Sequence, residues 1–134
     1  MKVLLDTNVL ASAFSSRGLC ADVLRIVLAD HELLIADVVL VELDRVLRLK
    51  FRVPTQTCAE VASFLRQHTV VPRPSSHLRL GLRDPSDEWV VASANAARAN
   101  IIVTGDRDLL EAAVKLPVPA IGPRAFWNLS KTNG

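Results

Sequence analysis

Six carboxylates stand where an α/β chain does its chemistry. Asp6 follows the apolar run Val3–Leu5 directly, and Glu42 lies one turn beyond Asp37. Asp84 and Asp87 sit close together in RDPSDEW, and Asp106 and Asp108 follow the stretch NIIVT across Gly105. An ionised carboxylate costs several kcal/mol to bury unless something positive pairs with it. Between Lys2 and Arg17 no such partner stands near Asp6. In open parallel sheets, functional groups gather beyond the carboxyl ends of the strands. Right-handed, sequential connections would bring Asp6, Asp87 and Asp106 to one sheet edge, with Glu42 pointing in from a neighbouring helix. Four acids at one point repel one another. The simplest counterion is a hard dication, Mg²⁺ or Mn²⁺, which takes oxygen ligands. Such a centre activates water and stabilises an in-line displacement at phosphorus.

Each residue has a competing role. Asp6 could cap the turn that follows it, and Thr7 and Asn8 are common turn and cap residues. Glu42 could be solvated, with Arg45 three residues on as an ion-pair partner. Asp84 precedes Pro85 and suits a turn, so Asp87 is taken as the ligand of that pair. Asp106 is preferred to Asp108, which can cap the next helix, and Gly105 permits a sharp turn. His31, His68 and His77 are isolated, so proton transfer falls to a carboxylate or to the metal. Trp89 and Trp127 could stack bases, but are expected in the core or at a subunit contact. Cys20 and Cys58 have no metal spacing and are expected to be buried, reduced thiols.

The elements that must position these residues alternate. Val3–Leu5, Leu33–Ile35, Val70–Val71, Asn100–Thr104 and Ala120–Ile121 read as strands. Cys20–Ala29 is amphipathic. A helix capped by Asp37 carries Leu40, Leu43, Val46 and Leu47. Another starts at Pro54, with Thr57 and Glu60 at capping-box spacing. Asp87–Arg98 and Asp108 onward read as helices, and Arg73–Arg83 as a loop. Continuous apolar strands between helices imply a three-layer α/β/α fold around a parallel sheet of four to five short strands.

At 134 residues, 50% of them apolar, the chain has the size of one domain with a real core. It holds no stretch long enough to span a bilayer and no signal peptide, so a cytoplasmic protein with no membrane partner is expected. The net charge of +2 decides little, but Arg45, Arg48, Lys50 and Arg52 cluster in one stretch. Such a stretch suits either a solvated helix face or the phosphates of a polyanion.

Together, VLLDTNVLASA (Val3–Ala13), Glu42, RDPSDEWVVASA (Arg83–Ala94) and IIVTGDRDLL (Ile101–Leu110) resemble the PIN-domain ribonucleases over nearly the whole chain. Within them the resemblance is to the VapC-like toxins of toxin–antitoxin pairs. It implies one PIN-like nuclease domain over residues 1–134. It implies that Asp6, Glu42, Asp87 and Asp106 hold Mg²⁺ or Mn²⁺, with Asp108 as an alternative or outer ligand and Asn8 and Thr104 lining the site. It further implies cleavage of single-stranded RNA to 5′-phosphate and 3′-hydroxyl ends, a homodimer, and a cognate antitoxin that enters the active-site groove. Arg45, Arg48, Lys50 and Arg52 would then contact flanking phosphates.

Two other classes compete. A haloacid-dehalogenase phosphatase would need a second Asp at position 8, where this chain has Asn8, and a receiver domain would need a late Lys that IIVTGD lacks. A degenerate PIN-like domain would bind RNA or a protein partner without catalysis.

Overall fold

The computed structural model describes residues 1–77 and 79–133. Leu78, inside the stretch read as a loop, and Gly134, at the end of the residues read as one domain, lie outside the described residues. Five short strands form one parallel sheet: β1 (Lys2–Leu5), β2 (Glu32–Ala36), β3 (Thr69–Val71), β4 (Ile101–Val103) and β5 (Ala120–Ile121). Their spatial order is β3-β2-β1-β4-β5. Register is fixed by apolar pairs such as Leu4↔Leu34, Leu4↔Ile102 and Ile35↔Val70. Val3, Leu4, Leu5, Ile35, Ile102 and Val103 are all fully buried. That continuous burial is what a parallel sheet covered on both faces demands.

The helices are α1 (Thr7–Ser15), α2 (Leu19–Asp30), α3 (Asp37–Leu49), α4 (Thr55–Leu65), α5 (Pro85–Ala96), α6 (Arg107–Glu111) and α7 (Pro123–Asn133). Right-handed crossovers from β1 to β2 and on to β3 carry α1–α4 along one face. The chain then reverses direction across the sheet, so the same rule sends α5 over the other face. α1 lies against α2 and α3, and α3 against α4, while α5 touches β2 and β4 and also meets α3. The C-terminal helix α7 packs on α2, anchored by the fully buried Phe126. Among the described residues no helix is long and apolar enough to cross a membrane.

Several local expectations are corrected. Thr7–Ser15 and Pro123–Asn133 are helices that the periodicity did not announce. Asp37 is the first residue of α3 rather than its cap; Ala36 holds the cap position without a side-chain bond. Thr57 and Glu60 lie inside α4, which starts at Thr55 without a side-chain cap. Cys58 is buried, whereas Cys20 is only half-buried; both are free thiols. Trp89 and Trp127 are half-buried too, under Arg73 and Lys131 respectively.

The sequence of crossovers has one consequence for chemistry. β1 feeds leftward to β2, and β4 feeds the other way to β5. The carboxyl ends of β1 and β4 are adjacent, so the crevice between them is the topological switch point of the sheet.

Candidate functional site

Asp6 is the first residue beyond β1, and its backbone N–H still bonds the Val103 carbonyl of β4 at 3.0 Å. It therefore sits at the switch point, 4% exposed. Its side chain is held by neutral donors: the Thr7 backbone N–H reaches Oδ1 at 2.8 Å, and the Thr104 hydroxyl donates to Oδ2 at 2.8 Å. Thr104 follows β4, is fully buried, and accepts at Oγ1 from the Asp106 backbone N–H at 3.0 Å. One hydroxyl thus ties the ends of β1 and β4 together and aims the Asp6 carboxylate.

Asn8 braces the same junction from α1. Its Oδ1 accepts from the Gly105 N–H at 2.8 Å. A Cβ at Gly105 would lie 3.3 Å from that oxygen. Gly105 is not in the left-handed region, so close approach of Asn8, rather than a sharp turn, is what favours glycine there.

Asp6, Glu42, Asp84, Asp87 and Asp106 line one cavity of about 320 Å³, together with Thr7, Asn8, Lys50 and Phe51. Glu42 is half-buried on α3, and Asp87 lies in the first turn of α5, 8% exposed. The structure therefore brings Asp6, Glu42, Asp87 and Asp106 to one place. It leaves Asp108 off the cavity wall, where its carboxylate accepts from the Arg83 backbone N–H at 3.2 Å. Asp106, not Asp108, caps α6, through the Asp108 N–H at 2.8 Å.

Asp84 is the acid that reading it as a turn missed. It caps α5, with Oδ1 accepting from the Ser86 N–H and hydroxyl at 2.9 and 2.8 Å, and it also lines the cavity. Its signal was present in the sequence as Asp-Pro-Ser: a cap residue followed by proline at the first helical position. Glu88, the neighbouring buried acid, faces elsewhere, holding the backbone N–H groups of Leu80 and Gly81.

Of the basic residues, Lys50 lines the carboxylate cavity. Arg45 and Arg48 lie along an adjoining groove with Glu42, Asp84 and Ser86, and Arg48 is paired to Asp44 at 3.0 Å. Arg52 is exposed and lines neither cavity nor groove. Among the described residues no Lys or Arg forms an ion pair with any of the five cavity acids.

The electrostatics follow. Burial pushes the Asp6 carboxyl above its ordinary range, opposed by the Thr104 and Thr7 hydrogen bonds and reinforced by Asp106 and Asp84. Glu42 is raised by burial and then by Asp6 and Asp84, opposed by the nearby charge of Arg45. Asp87 is pushed up to about 8, first by burial, then by the charges of Asp106, Asp6 and Asp84, and finally by a hydrogen bond with Asp106. The N-termini of α1 and α5 supply some relief, since each helix end carries about half a positive charge. They do not neutralise five acids.

The donor set fits a hard dication. All five ligand candidates are carboxylates, the class that Mg²⁺ and Mn²⁺ select. The hydroxyl of Thr7, on the same wall, is a buried oxygen with no hydrogen-bond partner among the described residues, as at a site shaped for a further polar guest. Yet no three acidic, His or Cys side chains among the described residues converge tightly enough to cage an ion by themselves. Water and substrate phosphate would complete the shell, as is usual for Mg²⁺.

A PIN-domain family model matches residues 2–108. The chain belongs to the PIN-domain family. That match spans all five cavity acids and strands β1 to β4. Three solved structures share the fold. VapBC2 from Rickettsia felis, bound to a DNA fragment from their promoter, is 17% identical with a TM-score of 0.66, over 91% of this chain and 98% of that one. FitAB bound to a DNA fragment is 15% identical with a TM-score of 0.60, over 90% and 94%. The PIN-domain endonuclease Utp24 is 17% identical with a TM-score of 0.57, over 90% and 84%. No curated protein matches this PIN domain.

Proposed function

We propose that this PIN domain is a Mg²⁺- or Mn²⁺-dependent endoribonuclease that cleaves single-stranded RNA. The observation that supports this best is the convergence of five acids at the switch point, none of them in an ion pair with a Lys or Arg among the described residues. Asp6, Glu42, Asp87 and Asp106 are the proposed ligands, with Asp84 beside them. A bound dication would supply an activated water and charge stabilisation at phosphorus. The chain's own residues do the rest. Thr104 and the Thr7 N–H fix the orientation of Asp6. Asn8 holds the Gly105 turn, so that Asp106 stays beside Asp6. Among the described residues no His lines the cavity, so a carboxylate of the cluster or the metal itself would take the proton of the attacking water. Lys50 and Arg45 flank the cavity and offer phosphate contacts.

The likeness to VapBC2 and FitAB supports a toxin role with a cognate antitoxin as partner; the homodimer is proposed on the family resemblance alone. The observation favouring a second reading, a PIN domain that binds without cutting, is that no three ligands converge tightly among the described residues. One experiment separates the two. End-labelled single-stranded RNA is incubated with the protein in Mn²⁺, in Mg²⁺ and in EDTA, and Mn²⁺ binding is followed by calorimetry. Metal-dependent cutting that disappears in Asp6→Asn supports catalysis, since Asn has the shape of Asp6, keeps one acceptor oxygen for the Thr7 N–H and removes the charge. Cutting at the parent rate by Asp6→Asn overturns the assignment. Absence of both cutting and carboxylate-dependent heat leaves the binding module.

A further inference from the structure

Lys50 and Phe51 complete the wall of the carboxylate cavity, and the chemistry above makes no use of Phe51. Helix α3 ends at Leu49. The N–H groups of Lys50 and Phe51 both return to the Val46 carbonyl, at 2.9 and 3.2 Å. Arg52 then takes a φ of 52°, and the Val53 N–H closes the turn on the Leu47 carbonyl at 2.9 Å. Glycine is the usual residue at a left-handed position after a helix, because a Cβ is strained there. Strained backbone of this kind persists where surrounding structure holds it, often at ligand clamps.

Leu47, on the last turns of α3, is in the core at 1% exposed, and the turn that follows leaves Phe51 at the cavity rim, 40% exposed. The Lys50 ammonium lies 5.9 Å from the centre of its ring. A ring held half in water contributes little to the core. The cavity floor, by contrast, is acidic and repels a phosphodiester. An ammonium over an aromatic ring at its edge supplies partners for the two features that an unpaired nucleotide presents, a phosphate and a base.

We infer that Lys50 and Phe51 form a nucleotide subsite at the edge of the cleavage centre: Phe51 stacks an unpaired base and Lys50 holds its phosphate. This rests on the nuclease reading and adds to it a physical basis for single-strand selection. A base within a duplex has both faces occupied by its neighbours and offers none to Phe51. The subsite tolerates any sequence, because every base has a π-face.

The test is fluorescence anisotropy in Mn²⁺ with a labelled single-stranded RNA, using the Asp6→Asn chain so that binding is read without cutting. A second probe carries the same backbone with abasic nucleotides. Adding Phe51→Ala is expected to weaken binding to the intact strand about tenfold and to the abasic strand less than twofold. Phe51→Leu, which keeps apolar volume and a folded core, is expected to show the same difference. Lys50→Ala is expected to weaken both probes and to lower the salt slope by about one. Equal losses on both probes in the Phe51 variants, or no loss on either, overturn the subsite. If the unmodified chain cuts while the Phe51 variants bind like their parent, only the subsite falls. If it neither binds nor cuts in Mn²⁺, the nuclease reading falls and the subsite with it.

Discussion

Asp87→Asn is expected to stabilise the metal-free protein at alkaline pH, although it removes a proposed ligand. In the folded chain Asp87 holds its proton up to a pH of about 8, whereas its ordinary value is 3.8. Between those values the folded state binds more protons than the unfolded state, so stability falls as pH rises. The stabilising contribution is fully present below about 4 and is lost by about 8. At about 1.4 kcal/mol for each pKa unit, the whole interval bounds the effect at about 6 kcal/mol. The repulsion is shared among several carboxylates and the cavity opens to water, so one substitution relieves only part of it. About 1–2 kcal/mol is expected at pH 8, or about 3–8 °C in melting temperature for a chain of this length. Asn at this position keeps the polar contacts and carries no charge. The assay is a set of thermal melts of parent and variant in EDTA at pH 5 and pH 8, repeated with Mn²⁺. The variant should melt above the parent at pH 8, with the gap narrowing at pH 5. With Mn²⁺ the order should reverse at pH 8, because a ligand that binds the folded state stabilises the chain that binds it better. A variant that melts at or below the parent in EDTA at pH 8 would refute the cost of burying the Asp87 charge beside its neighbours, on which this reasoning depends.

Thr104→Val leaves both Asp6 Oδ2 and the Asp106 N–H without their shared hydroxyl and should cost about 1–3 kcal/mol; Thr104→Ser should restore most of it, as read by urea melts. Phe126→Ala opens a hole beneath α7 at a fully buried position and should cost about 3–5 kcal/mol, with hydrogen exchange rising in α7 and α2 together. Arg52→Gly removes the left-handed strain at a φ of 52° and should raise stability by about 0.5 kcal/mol once the flexibility of unfolded glycine is deducted; a lower melting temperature would show that the Arg52 side chain itself stabilises the turn.

The sheet was legible because burial on both faces leaves an unmistakable pattern. NIIVT and VLL are continuous apolar runs, and no exposed helix needs such runs. The two helices that were not foreseen have physical excuses. Residues Thr7–Ser15 include one Thr, one Asn and two Ser, which weaken any apolar stripe, and the helix is held by its contacts with α2 and α3. In α7 only Phe126 is fully buried, so its pattern rests on one side chain, although Pro123 at its start is a recognisable opening signal. The Thr57 and Glu60 spacing misled for the opposite reason. The pair matched a local rule, but Pro54 already fixes where the chain can turn helical, three residues earlier.

The site was legible as a list of acids and illegible as a set of double roles. Asp6, Asp84 and Asp106 each cap a helix and line the cavity. Read from spacing alone, these roles look like rivals: a cap or a ligand, a turn residue or a catalytic one. Asp84, expected only in a turn, holds the cap and lines the cavity as well. The two roles are compatible because a carboxylate has two oxygens. Asp106 gives Oδ1 to the Asp108 N–H, and Asp84 gives Oδ1 to Ser86, leaving Oδ2 for another partner. Asp6 departs from this economy, with one oxygen on Thr7 and the other on Thr104. Capping also lowers the electrostatic cost of assembling the cluster, since each cap fixes its charge at the positive end of a helix. The helix starts therefore do more than position the acids. They supply part of the counter-charge that lets the chain fold before any cation binds, and the remainder is what a dication would provide.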